Sequence, residues 1–307
     1  MSGHDHAHGL HGPPSAARGR LTVALALIVG FMAFEVAAGI IAHSLALLSD
    51  AAHMLTDAGA ITFALVAARL ALRPPGGRYT FGLKRAEILS AQLNGATLLV
   101  LGVFIVIEGV GRIISPPDTE GGVVLVVAVV GIGVNLAATL VLAGADRSSL
   151  NVEGAFQHIL TDLVAFVATA IAGAVILLTG FAQADGIAAL FVAGVMFLSA
   201  YRLIVASGRV LMEASPAGID PQEVGMAMAA EPQVDNVHDL HIWEVTSGFP
   251  ALAAHVIVEP GCDCHQRRRE LEVMLHDRFG IEHVTLQVDH PPAKGELLHV
   301  ETEARPA

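Results

Sequence analysis

Six long apolar runs occupy the chain between Leu21 and Ser207, and they leave it little choice of fold. They lie near Leu21–Ala42, Leu45–Leu72, Ala86–Ile114, Gly121–Ala143, Asn151–Thr179 and Ala184–Ser207. Each approaches or exceeds the ~20 residues that carry a helix across a bilayer. Breakers separate most of them: RPPGG at 73–77, SPPD at 115–118, ADRSS at 145–149 and GFAQAD at 180–185. In lipid a helix satisfies its own backbone, whereas an open strand cannot. The runs are also too long and too continuous for barrel strands. Only 15% of residues are charged, against about 25% in an average soluble domain. These features define an integral membrane protein. The first 20 residues are polar and His-rich, unlike a signal peptide.

Lys and Arg set the orientation. Arg18, Arg20, Arg69, Arg73, Arg78, Lys84, Arg85, Arg147, Arg202 and Arg209 fall on one side, and Arg112 alone on the other. Both termini are therefore expected in the cytoplasm, which agrees with six spans. Arg outnumbers Lys 15 to 2, as in GC-rich bacteria, and this points to a bacterial inner membrane. Residues 1–20 carry four His among Gly and Pro. They are read as a disordered arm, either a loose metal collector or a solvated tail.

The pattern changes after Met212. From residue 213 onward there are 17 acids and 6 Lys or Arg, nearly the whole net charge of −12. Such a segment lacks the basic footprint of nucleic-acid binding and suits cations instead. VHDLHIWEVTS and ALAAHVIVEP read as strands joined by a turn at Gly248–Pro250. A helix at Pro221–Ala230 precedes them. CHQRRRELEVMLHDRFG follows as an amphipathic helix with Leu271, Met274, Leu275 and Phe279 on one face, and HVTLQVD is a third strand. The order α-β-β-α-β suggests a small ferredoxin-like α+β domain over 213–292, after a membrane domain over 21–212 and before a disordered tail at 293–307.

Two of the apolar runs contain nearly the same five letters: HMLTD at 53–57 and HILTD at 158–162. On a helix, positions i and i+4 share a face. His53 and Asp57 project together, as do His158 and Asp162. If the two helices face each other, two imidazoles and two carboxylates converge into a tetrahedral set suited to Zn²⁺. Two carboxylates neutralise a divalent ion and so offset the desolvation of buried charge. One such pair is commonly structural; two at membrane depth point to metal. Thr56 and Thr161 are read as capping local backbone. Asp50 is either a vestibule charge or a helix-end residue exposed to water. Glu35 and Glu108 are expected to face the bundle interior, near Asn94, Gln92 or Asn135. Cys262, Cys264 and His265, in GCDCH, form a separate candidate site for a soft metal.

Four segments together, SLALLSDAAHMLTDA, YTFGLKRAEILSAQLNG, NVEGAFQHILTDLVA and VHDLHIWEVTSGFPALAAHVIVE, resemble cation diffusion facilitators. The likeness is to the branch holding bacterial cobalt–zinc–cadmium resistance exporters and animal vesicular zinc transporters. It implies six transmembrane helices, a cytoplasmic metallochaperone-like domain, a homodimer and exchange of metal for protons. The family's transport site matches His53, Asp57, His158 and Asp162. Its cytoplasmic metal sites match His238, His255 and Asp289, with Glu282 or His283 to complete them. His241 is expected to pack or hydrogen-bond beside Trp243. A further loop site of one bacterial branch has Tyr79 here in place of its His, so that site is expected to be absent. Lys84 and Arg85 are candidates to pair with Glu213 as a charge lock.

The expected function is export of Zn²⁺, or Cd²⁺ or Co²⁺, against protons by alternating access. Zinc serves as substrate and as a structural or regulatory ligand, with no organic cofactor. Two alternatives stay open. An intramembrane metal-dependent hydrolase could use the same ligands to activate water, but no general base accompanies them. A metal sensor or storage protein is the other.

Overall fold

The computed structural model describes residues 14–41, 45–116 and 121–291. Most of the His-rich arm and the acidic tail lie outside the described residues. The chain divides at Met212 into two compact units.

The first unit is six helices: α1 (Pro14–Ile41), α2 (Leu45–Ala71), α3 (Ala86–Ile114), α4 (Gly121–Ala143), α5 (Leu150–Thr179) and α6 (Ala184–Leu211). Among the described residues five of them are long and apolar enough to cross a membrane: α1, α3, α4, α5 and α6. The sixth, α2, has similar length and carries Asp50, His53 and Asp57 in its first half. The helix bounds lie close to the apolar runs read from the sequence. α1 begins at Pro14, inside the segment expected to be disordered to residue 20. Proline suits a first helical turn because its fixed φ is already helical and its missing N–H has no partner there to lose. At the far end of α5, Gly180 adopts φ +70 and returns its N–H to Ile176 O, closing the helix.

Helices α1, α2, α4 and α5 share one core, centred on the fully buried Ile28, Ile61, Leu142 and Ile159. Helices α3 and α6 make a second core with Leu98, Val192, Met196 and Leu203, against which Ala165 and Ala168 of α5 pack. α5 therefore touches both groups. The α3–α6 contact is close because α3 presents Gly95, Gly102 and Gly109, each seven residues apart. A Cβ at Gly102 would lie 2.7 Å from the Phe197 ring, and one at Gly186 would lie 2.8 Å from the Gly109 carbonyl. Small residues let helices approach where lipid supplies no hydrophobic drive.

Arg112, in the last turn of α3, reaches Asp185 in the first turn of α6 and Glu108 one turn back. This corrects the expectation for Glu108. It is 63% exposed and paired locally, because a cation four residues on satisfies it without an interior partner. The interior amides are also used otherwise. Asn94 Nδ2 donates to Gly154 O, Asn135 Nδ2 to Gly131 O, and Gln92 Oε1 accepts from Ser207. The side chain of Glu35 lies outside the described residues.

The second unit has the order α7 (Pro221–Ala229), β1 (Val234–Glu244), β2 (Pro250–Val258), α8 (Cys264–Phe279) and β3 (His283–Asp289). β1 pairs antiparallel with β2, and β2 parallel with β3 through the α8 crossover. Asp220 caps α7 through Gln222 N–H, and Asp263 caps α8 through the N–H groups of His265 and Gln266. Gly280, φ +66, ends α8 as its sequence position suggests. Val224, Met228, Leu252, Val256, Leu271 and Leu275 form the core on the helix-covered face of the sheet. The other face carries His255 on β2 with Gln287 and Asp289 on β3. β1 has a bulge between His238 and His241, and Asp239 there has φ +52. A bulge sets two residues of one strand against one of its partner and re-aims a side chain.

The glycine contact is testable. Gly186→Ala forces a Cβ onto backbone and should destabilise the bundle by about 1–3 kcal/mol, seen as a lower thermal midpoint in detergent. Gly194, with open space around it, should tolerate alanine without loss; equal midpoints for both variants would contradict the close α3–α6 approach.

Candidate metal centre

α2 and α5 run antiparallel, and two hydrogen bonds fix their register. Asn151 Nδ2 donates to Ala64 O at 2.8 Å. Seven residues along each helix, His158 Nε2 meets Asp57 Oδ1 at 2.8 Å. Two turns separate the contacts on either helix, so both lie on one seam. Asp162, one turn beyond His158, brings its carboxylate to 4.0 Å from His158 Nε2. The ligand atoms of Asp57, His158 and Asp162 all lie within 4.8 Å of one another. Ligands bound to zinc at ~2.0–2.2 Å in a tetrahedron are about 3.3–3.6 Å apart. The cluster brackets that separation.

Burial gives the cluster its chemical meaning. His158 is 1% and Asp57 6% exposed. His158 Nδ1 is buried with no hydrogen-bond partner among the described residues. Two carboxylates and an imidazole in an apolar interior need a shared positive charge. A proton or a divalent cation provides it, and both bind at the same nitrogen and oxygens. Thr161 Oγ1 donates to Gln157 O at 2.8 Å, so it caps backbone as expected. His53 is one turn from Asp57 on α2; its side chain, like those of Thr56 and Asp50, lies outside the described residues.

Asn151 was not singled out by sequence reasoning. It stands seven residues before His158 and is 1% exposed. That spacing on a helix carrying a buried pair was the available signal.

In the second unit His238 and His255 are register partners on β1 and β2, with ring centroids 5.4 Å apart in a T-shaped contact. Asp239, turned by the bulge, joins them. Its Oδ1 lies 2.8 Å from His241 Nε2 and its Oδ2 3.9 Å from His255 Nε2. The hydrogen bond from His241 lowers the Asp239 carboxyl below its ordinary value, and His255 and His238 add to this. His241 thus bonds to Asp239. Asp289 lies opposite Ile257, two residues along from His255, and its carboxylate accepts from Gln287 Nε2. His283 lies opposite Ala251, four residues from His255, with its ring against Phe249. Glu282 is exposed just before β3. The protomer brings His238 and His255 together and leaves Glu282 and His283 at the other end of the strand.

Cys262 and Cys264 are free thiols. Cys264 Sγ faces His290 Nε2 at 3.5 Å, while His265 has its backbone N–H on the Asp263 cap. Lys84 and Arg85 directly precede α3, and Glu213 lies beyond α6 with φ +58. Tyr79, in the α2–α3 loop, is exposed.

A helical bundle that buries two carboxylates and an imidazole within reach of one another between its spans suits a membrane protein that handles cations. The comparisons with known proteins specify the class. Residues 21–212 match the cation efflux transmembrane domain and residues 216–291 the cytoplasmic domain of cation efflux proteins. The chain belongs to the cation efflux family, whose members are transporters rather than enzymes. The zinc transporter ZitB of Escherichia coli is 37% identical, covering 97% of this chain and 96% of that one. The metal cation efflux system protein CzcD of Cupriavidus metallidurans is 39% identical, covering 95% and 92%. The cadmium, cobalt and zinc/H(+)-K(+) antiporter of Bacillus subtilis is 34% identical, covering 94% and 92%.

Because Asn151 holds α2 in register on α5, Asn151→Ala should loosen the cluster. A buried interhelical hydrogen bond in a membrane contributes about 0.6–1.7 kcal/mol. Zinc affinity of the detergent-solubilised protein should fall by roughly threefold to twentyfold, the same energy expressed as a ratio. An unchanged binding isotherm would show that the register is held without it.

Proposed function

We propose that the protein exports Zn²⁺, with Cd²⁺ and Co²⁺ as alternative cargo, from the cytoplasm in exchange for protons by alternating access. The observation that carries this reading is the convergence of Asp57, His158 and Asp162 at buried positions of two helices. The fourth ligand is His53. The register that sets Ala64 against Asn151 and Asp57 against His158 supports this reading, since position 53 is one turn from Asp57 along α2. Two imidazoles and two carboxylates then form a neutral cage around one divalent ion. The names of the relatives support the cargo: zinc for ZitB, and cadmium, cobalt and zinc with H⁺ for the Bacillus antiporter.

The residues supply the exchange chemistry directly. The 2.8 Å contact between His158 Nε2 and Asp57 Oδ1 holds a proton between two atoms that a metal needs bare. Loading from the cytoplasm displaces the protons held on these ligands, and protons entering from the opposite side displace the metal in turn. One divalent ion balances the two carboxylates when the cage is loaded, and two bound protons balance them when it is not. Both termini face the cytoplasm of a bacterial inner membrane, as the distribution of Arg and Lys supports. The chain works as a homodimer assembled through its soluble unit. There His238 and His255 are the nucleus of a regulatory zinc site, with Asp289 on the neighbouring strand.

Flux measurements test the reading. Reconstituted vesicles should accumulate zinc against an opposing proton gradient, and a protonophore should abolish the accumulation. Asp57→Ala and Asp162→Ala should each reduce flux by roughly 100-fold, since loss of even a supporting group costs 10- to 100-fold. Parental flux in both variants would overturn the site. For His53 the readout is selectivity: His53→Asp exchanges nitrogen for oxygen and should relax zinc preference over manganese. Identical competition profiles for variant and parent would remove His53 from the ligand set.

A further inference from the structure

Cys262 and Cys264 are the chain's two cysteines, and neither the transport cluster nor the His238–His255 face uses them. The turn from Glu259 to Cys264 gathers groups that are distant in sequence. The Glu259 carbonyl accepts the Cys262 backbone N–H at 3.2 Å and lies 3.1 Å from His290 Nδ1. A carbonyl oxygen only accepts, so Nδ1 carries the ring proton of a neutral His290. Nε2 is then the bare nitrogen, and it faces Cys264 Sγ at 3.5 Å. An oriented imidazole with a backbone carbonyl behind it is the usual second-shell arrangement of a metal-ligating histidine.

The separation is also diagnostic. A sulfur at ~2.3 Å and a nitrogen at ~2.0 Å from one tetrahedral ion stand about 3.5 Å apart. Cys264 and His290 already have that spacing across 26 residues. The second thiol, Cys262, contacts Gln233 Oε1 at 3.4 Å. That S–H contact is weak, and Gln233 Oε1 keeps Arg267 Nη2 as a donor at 2.9 Å when it breaks. A side-chain rotation of Cys262 is therefore cheap.

We propose that Cys264 and His290, joined by Cys262, form a binding site for a thiophilic divalent cation of the Zn²⁺ or Cd²⁺ class in the soluble unit. Binding forms two metal–thiolate bonds and releases two thiol protons to solvent, while neutral His290 coordinates without losing a proton. Two thiolates balance the ion's charge. Three protein ligands leave the fourth position to water or an incoming ligand, so the ion exchanges instead of serving as a permanent structural clamp. His290, rather than the neighbouring His265, completes the motif.

The test uses the full chain in detergent under reducing conditions, titrated with Cd²⁺. Sulfur-to-cadmium charge-transfer absorption in the ultraviolet reports thiolate ligation. The nitrogen and oxygen ligands of the transport cluster give none, so the band reads this site whether or not the transport reading holds. The band should saturate near stoichiometric cadmium. Cys264→Ser should abolish it, Cys262→Ser should weaken it, and His290→Gln should keep it while lowering affinity roughly tenfold or more. In the unmodified chain, Zn²⁺ should slow alkylation of Cys264 by iodoacetamide. Absence of the band at stoichiometric cadmium, a His290→Gln titration identical to the parent, or alkylation indifferent to Zn²⁺ would each overturn the proposal.

Discussion

Two carboxylates and an imidazole buried between α2 and α5 set the terms for the rest of the membrane unit. Charged groups in an apolar interior demand partners, and partners must be held at fixed distance. The seam between these helices does the holding. The contact of Asp57 with His158 and that of Asn151 with Ala64 are separated by the same seven residues on both strands of the seam. A slip of one turn would leave the amide and the imidazole facing hydrocarbon. Register here is therefore fixed by polar groups, while the apolar core around Ile61 and Ile159 supplies bulk without direction.

Much of this was legible in the chain. Apolar length and breaker positions gave the six helices, because a bilayer admits few other solutions. The repeat of His-x-x-x-Asp pointed to the faces on which Asp57, His158 and Asp162 meet, because a helix converts a spacing of four into a shared face. In the second unit, Gly280 marked the end of α8.

What escaped the sequence was long-range or depended on a local irregularity. Nothing in one dimension pairs Asn151 with Ala64, or Cys264 with His290. Asp239 reads as an ordinary strand residue with its side chain opposite in sense to His238. The bulge inserts it as an extra residue and rotates it toward His241 and His255. Glu108 departs from the habit of intramembrane carboxylates for a simpler reason: Arg112, four residues on, already satisfies its charge.

The amides that tie α5 to its neighbours have an unequal cost of rupture. Asn151 and Asn94 each donate across a helix boundary, Asn151 to the carbonyl of Ala64 and Asn94 to that of Gly154. Both carbonyls lie inside helices and already accept the N–H four residues on. If α5 slides, neither acceptor is stranded, and the penalty falls on the two side-chain amides alone. Such bonds are directional enough to define a resting position and shallow enough to be left. α5 is located without being locked.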